Sequence, residues 1–79
     1  MKTIKHQANK TILAQLRERL CLSQSSLAKK LRLTQQFIAE LEVKAKNPSI
    51  ETIKKILVLA ERYGFKIVLE DLLEDYRKH

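Results

Sequence analysis

The sequence predicts a mainly α-helical domain of four or five helices, followed by one C-terminal β-strand that pairs across a dimer. Apolar residues recur at three- and four-residue spacing over residues 11–63, which is the pattern of amphipathic helices. After Gly64, Phe65, Ile67 and Leu69 alternate with Lys66, Val68 and Glu70, and β-branched residues are concentrated here, which is the pattern of a strand. With 79 residues, the chain has room for one domain.

Capping residues and apolar spacing order the helices along the chain. The pattern turns helical from Thr11, and Ser23 and Thr34 can cap the next two helices because their side-chain oxygens accept an unpaired amide hydrogen. Pro48 and Ser49 begin a longer fourth helix, which ends at Gly64. The predicted apolar faces comprise Ile12, Leu13, Leu16, Leu20, Leu27, Ala28, Leu31, Phe37, Ile38, Leu41, Ile50, Ile53, Ile56, Leu57 and Ala60.

The segments outside the helical region divide the chain further. Residues 1–10 are expected to form a flexible basic arm, residues 11–64 the helical domain and residues 65–70 a dimerisation strand. A lone strand has no ladder partner in its own chain, so we expect the same strand of a second copy to pair with it. Its pairing residues are Phe65, Ile67, Val68 and Leu69. The tail 71–79 is either a weak helix or an interaction segment.

The charge balance points to a polyanionic partner. Lysine and arginine number 16 against 9 acidic residues, giving a net charge of +7 and a pI near 9.8. Residues 1–64 carry 13 basic and 5 acidic side chains, whereas residues 65–79 carry 3 and 4. The N-terminal part therefore carries the positive surface expected to meet nucleic acid.

Several other classes of protein do not fit the sequence. Cys21 is the only cysteine, which excludes an internal disulfide and a cysteine-rich zinc site, so a small core would gain stability from oligomerisation. There is no apolar run of membrane-spanning length, and we expect a cytoplasmic, nucleoid-associated bacterial protein without a membrane partner. No nucleophile–base pair, metal cluster or glycine-rich phosphate loop is present, so we expect neither enzyme activity nor a cofactor.

The second and third helices have the signature of a DNA-reading helix-turn-helix. They are short, joined by a tight turn at Arg32 and Leu33, and the second of the pair is capped. A glutamine amide donates and accepts at once, which matches the N6 and N7 edge of adenine. The residues expected to face the DNA bases are Gln35, Gln36, Ala39 and Glu40.

Several segments resemble the lambdoid repressor and Cro-like helix-turn-helix family over about residues 12–62. They are Leu22-Ser23-Gln24, Leu27-Ala28, Thr34-Gln35-Gln36, Ile38, Leu41-Glu42 and Asn47-Pro48-Ser49. The resemblance implies that Gln35 and Gln36 touch base edges and that Glu40 faces the groove. It also implies a partly buried ion pair between Arg17 and Glu42. The predicted phosphate contacts are Gln24, Ser23, Thr34, Lys44, Lys46 and Asn47. Cys21, Arg32 and Lys44 stand where the family often has glycine, at helix ends that favour a left-handed backbone.

The chain is also similar to HipB-type antitoxins over about residues 11–70. The similarity lies in the run 37–42, the long helix, Gly64 and the segment 65–69. That similarity implies a two-fold dimer that binds inverted-repeat operator DNA, represses its own operon and neutralises a HipA-like serine/threonine kinase toxin. Two alternatives stay open. One is a phage-type or chromosomal repressor without a toxin, and the other is a protein-interaction module that no longer binds DNA.

Overall fold

The computed structural model describes residues 2–77 and confirms the predicted fold class, with five helices and a C-terminal strand. The elements run β1 (Lys2–Ile4), α1 (Ile12–Arg19), α2 (Gln24–Leu31), α3 (Gln35–Glu42), α4 (Ile50–Arg62), β2 (Phe65–Ile67) and α5 (Leu69–Glu74). Within the described range, none of these helices has the length and apolarity that a membrane span requires.

Hydroxyl caps fix where the first four helices begin. The side chains of Thr11, Ser23, Thr34 and Ser49 each accept a hydrogen bond from the amide three residues further on, at 3.0–3.2 Å. Each cap satisfies one of the amide groups that a helix leaves without an internal partner. The predicted caps at Ser23 and Thr34 are thereby confirmed.

Three non-glycine residues adopt the left-handed backbone predicted for helix ends. The φ angles are +55° at Cys21, +57° at Arg32 and +63° at Lys44. Each such residue costs about 1–2 kcal/mol relative to a right-handed conformation. At Arg32 this turn allows α3 to cross α2 closely, with Ala28 3% exposed at the contact.

The core is built from the inner faces of all five helices and from Ile4 of β1. Most predicted apolar positions are buried or pack against the core, as does the half-buried Phe37. Ile50 is an exception to the prediction, because this first residue of α4 lies beyond the edge of the core and is 71% exposed. The core residues are Ile4, Ile12, Leu13, Leu16, Leu27, Ala28, Leu31, Ile38, Leu41, Ile53, Ile56, Leu59, Ala60 and Leu72.

The predicted flexible arm over 1–10 is wrong for the residues that the structure describes. Residues 2–4 form β1, which pairs in parallel with β2 in the register Lys2 to Phe65. Ile4 is fully buried. Strand β2 thus has a partner within its own chain, contrary to the expectation that it would lack one. Met1 lies outside the described residues.

The C-terminal strand is shorter than predicted, and the tail after it is helical. Strand β2 ends at Ile67, Val68 is the N-terminal cap position of α5, and Leu69 is the first helical residue. Contrary to the prediction, Val68 and Leu69 therefore do not belong to the strand. The buried Leu72 holds α5 against the core, since it lies on the inner face of the helix. Residues 78–79 of the predicted tail lie outside the described range.

Both ends of the chain meet at the start of α1. The buried carboxylate of Asp75 accepts hydrogen bonds from the Ile12 amide and from His6 Nδ1, each at 2.6 Å. The Tyr76 hydroxyl donates to the Leu41 carbonyl at 3.0 Å, and burial raises the pKa of this phenol. A carboxylate at a helix N-terminus is favourable because it faces unpaired amides and the positive end of the dipole. Asp75 therefore fastens α5 and the N-terminal segment to the helical domain.

Candidate DNA interface

The first turn of α3 presents two adjacent glutamines to solvent. Gln35 and Gln36 are exposed, while Ile38 and Leu41 on the opposite face of the helix are fully buried. The Thr34 cap fixes the start of the helix immediately before the glutamines. The backbone under both side chains is thus held by a cap and by core packing.

These glutamines lie on an open concavity between α2 and α3. It has a volume of about 540 Å³ and is lined by Gln24, Gln35, Gln36, Ala39, Glu40 and Val43. The structure therefore brings the four predicted base-facing residues together with one predicted phosphate contact. The surface offers amides, a carboxylate and small apolar groups, which are the chemical groups that read base edges and thymine methyls.

Val43 is the residue of this surface that the sequence analysis missed. Its side chain is 74% exposed, although it is aliphatic and directly follows α3. An exposed aliphatic group beside the amides of Gln35 and Gln36 has the chemistry to contact a thymine methyl. The sequence did contain a sign of this, because Val43 is apolar but does not continue the spacing of the buried residues Ile38 and Leu41.

Arg17 and Glu42 form the predicted ion pair, and it lies largely out of solvent. The Arg17 Nε–Glu42 Oε2 distance is 2.6 Å, the Arg17 Nη2–Glu42 Oε1 distance is 3.1 Å, and the two side chains are 21% and 7% exposed. Bonding to the carboxylate raises the pKa of the Arg17 guanidinium. The same carboxylate accepts from Gln24 Nε2 at 3.1 Å, and Arg17 also donates to the Leu22 carbonyl at 3.0 Å. This pair ties α1, the start of α2 and the end of α3 together behind the concavity.

The loop between α3 and α4 supplies the cations beside the concavity. Lys44, Lys46 and Asn47, which were predicted to contact phosphates, are exposed in this loop. Lys46 Nζ lies 3.7 Å from Glu40 Oε1, so part of the negative charge on the groove-facing carboxylate is balanced within the protein.

The two predicted hydroxyl contacts to phosphate are already engaged as helix caps. Thr34 Oγ1 accepts from the Phe37 amide, which leaves its own hydrogen available to a phosphate oxygen. Ser23 Oγ accepts from the Ser26 amide and also donates to the Ser26 hydroxyl, so a phosphate contact through Ser23 would need that second bond to break.

A capped reading helix crossing a short preceding helix, with polar side chains on its exposed first turn, defines a DNA-binding transcription regulator. A helix-turn-helix family model matches residues 13–63, and the chain belongs to this family of lambda repressor- and Cro-like proteins. No curated protein and no solved structure matches the chain.

Proposed function

We propose that this protein is a sequence-specific repressor that reads the major groove with α3 and acts as the antitoxin of a toxin–antitoxin operon. One observation carries the DNA-reading part of the proposal. Gln35 and Gln36 are exposed on the first turn of α3, and within residues 2–77 neither side chain has a hydrogen-bond partner. Two adjacent amides without internal partners suit a surface that bonds to base edges.

Replacing Gln35 or Gln36 with alanine is expected to weaken operator binding by about 1–3 kcal/mol each, because each change removes a base contact. Fluorescence anisotropy on a duplex from the protein's own promoter, and on a shuffled duplex, measures the effect. Binding to the shuffled duplex should hardly change. Gln7→Ala is a control outside the concavity. Equal losses on both duplexes would show that these amides do not read bases.

Replacing Lys44 or Lys46 with alanine is expected to weaken binding to every duplex alike, because each lysine would meet a phosphate. The slope of log affinity against log salt should become less steep by about 0.9 for each lysine removed. Lys5→Ala, a change of equal charge away from the concavity, should leave the slope unaltered. Unchanged slopes for both loop variants would place the loop outside the DNA footprint.

We propose dimerisation through the outer edge of β2. The Lys2 amide donates to the Gly64 carbonyl at 3.2 Å. Because backbone groups alternate in direction along a strand, Phe65 and Ile67 then direct their amides and carbonyls away from β1. Beside this edge lies a groove of about 450 Å³ lined by Leu57, Glu61, Phe65, Lys66 and Ile67. The same strand of a second copy would fit antiparallel there, with Phe65 opposite Ile67, making a four-stranded sheet in which Val68 and Leu69 flank the joint.

The antitoxin role rests on the similarity to HipB-type proteins over residues 37–42 and 64–69. The proposed partner is a HipA-like serine/threonine kinase toxin, and the proposed target is the inverted-repeat operator of the shared operon. A kinase gene beside this one, expressed with and without this chain, provides the test. We expect growth arrest by the kinase alone, rescue by this chain, and a complex that co-purifies.

A stand-alone repressor is the second candidate, favoured by the reading surface alone. It predicts operator binding with no rescue and no kinase complex. Failure to bind the promoter duplex at any salt concentration would instead favour an interaction module that has lost DNA binding.

A further inference from the structure

A basic groove lies between the last turn of α2 and the outer face of α4, outside the DNA-reading concavity. It has a volume of about 380 Å³ and is lined by Lys30, Leu31, Arg32, Lys54, Lys55, Val58, Leu59 and Arg62. None of these residues lines the concavity that contains Gln35 and Gln36. The groove therefore concentrates five cations on a surface that base reading does not use.

The groove combines uncompensated charge with an apolar floor. Among residues 2–77, no carboxylate lies within ion-pair distance of these five cations, and Lys30 bonds instead to the Tyr63 hydroxyl at 3.1 Å. Leu31 and Leu59 are the buried aliphatic residues of its lining, and Val58, which also lines the groove, is 56% exposed. A phosphate backbone would use the cations but gain nothing from the aliphatic floor. The groove therefore suits an acidic segment that also carries apolar side chains.

The outward face of α5 has that complementary composition. Leu69 and Leu73 are 46% and 40% exposed, and their four-residue spacing puts them on one side of the helix. Glu70 is exposed beside them in the middle of the outward face, and Asp71 lies on the flank of the helix away from the leucines. In the described part of the chain, neither of these carboxylates forms an ion pair.

We propose that the outward face of α5 in one copy docks into the α2–α4 groove of a second copy. Leu69 and Leu73 cover Val58, while Glu70 and Asp71 lie among the groove cations. Because two different surfaces meet, the contact is head-to-tail and can repeat from copy to copy. Contacts between exposed charges are weak in free solution. Copies held side by side on DNA have a high effective concentration, so the contact makes their binding to adjacent sites cooperative.

Two complementary variants isolate a single such contact without DNA. The first, Glu70→Lys with Asp71→Lys, keeps the groove and reverses the charge of the α5 face. The second, Lys54→Glu with Lys55→Glu, keeps the α5 face and reverses the groove. The first is labelled with ¹⁵N and titrated with the unlabelled second while its amide NMR spectrum is recorded. Well-dispersed spectra of both variants establish that they fold.

We expect saturable shifts of the labelled amides at 54–62 and 30–32, and no such shifts when the unlabelled chain also carries the reversed α5 face. Leu73→Ser in the unlabelled chain should weaken the association about threefold, since it removes part of the apolar contact. As a control, Lys2→Glu with Lys5→Glu is added to the unlabelled chain. This equal change of charge at exposed residues outside the groove should not alter the association.

Each charge reversal alone should lower self-association about tenfold. A chain that carries both reversals should regain it, because the two surfaces are again complementary in charge. The proposal would be overturned by an absence of groove shifts or by shifts scattered over the whole surface. It would also be overturned if random duplex DNA, titrated separately, shifted the groove amides and the second variant did not. The titration with the second variant contains no DNA, so its outcome is independent of whether Gln35 and Gln36 read an operator.

Discussion

Replacing Glu42 with alanine is expected to lower the free energy of unfolding by about 1.5–3 kcal/mol, because the change removes the carboxylate that accepts two hydrogen bonds from a partly buried guanidinium. Arg17 is 21% exposed and donates two hydrogen bonds to Glu42. The Gln24 amide loses its acceptor in the same variant. Urea denaturation followed by circular dichroism measures the loss, with the slope of the transition checked for two-state behaviour.

A double-mutant cycle separates the pair from the effect of truncation. Arg17→Met combined with Glu42→Leu removes both charges and should be more stable than either single variant, since no unpaired charge is left inside. Glu18→Ala is the matched control, because Glu18 pairs with Lys10 on the surface, and it should hardly move the urea midpoint. Additive effects of the Arg17 and Glu42 changes would contradict an energetically coupled pair.

Replacing Ile67 with proline is expected to abolish the dimer and lower operator affinity about a thousandfold, since specific binding drops to one half-site. Proline has no amide hydrogen for the outer edge of β2. By the alternation along β2, the inner bonds to β1 involve Gly64 and Lys66, so they survive the substitution. Sedimentation velocity at micromolar concentration gives the mass, and anisotropy gives the affinity.

Ile67→Ala is the control for the lost side chain, because it keeps the amide and should weaken the dimer much less than proline does. A proline variant that is still dimeric, with full operator affinity, would place the interface elsewhere on the molecule. A proline variant that is monomeric but keeps full affinity would separate operator binding from dimerisation.

The helix-turn-helix was accessible from the sequence because its determinants are local. The caps at Ser23 and Thr34 act over three residues, and the apolar faces repeat within each helix. The left-handed helix ends at Arg32 and Lys44 followed from the positions at which a helix must stop. For the same reason, the exposed face of α3 and its glutamines could be predicted once the buried face was known.

Strand β1 and the contacts between the N-terminal segment and the end of α5 could not be predicted, since their determinants are distant in the chain. Strand β1 has three residues, too few to show alternation, and its partner is at the other end of the domain. The bond between His6 and Asp75 joins residues 69 positions apart. Val43 was not predicted because it lies outside the apolar spacing of α3 and begins the basic loop 43–47, and only the folded chain places it beside the concavity.

The hydrogen bonds of Asp75 couple the stability of α5 to that of the segment before α1. Asp75 holds the Ile12 amide and His6, and the segment leading to His6 begins with β1, which covers the inner edge of β2. Any protease or ligand that withdraws Asp75 from α1 therefore also loosens the strand beside the proposed dimer edge. By reciprocity, DNA that selects the proposed dimer would also favour the contact between Asp75 and the start of α1. A ligand bound at the end of α5 would therefore act on the proposed dimer edge, and through it on DNA binding, without contacting the glutamines of α3.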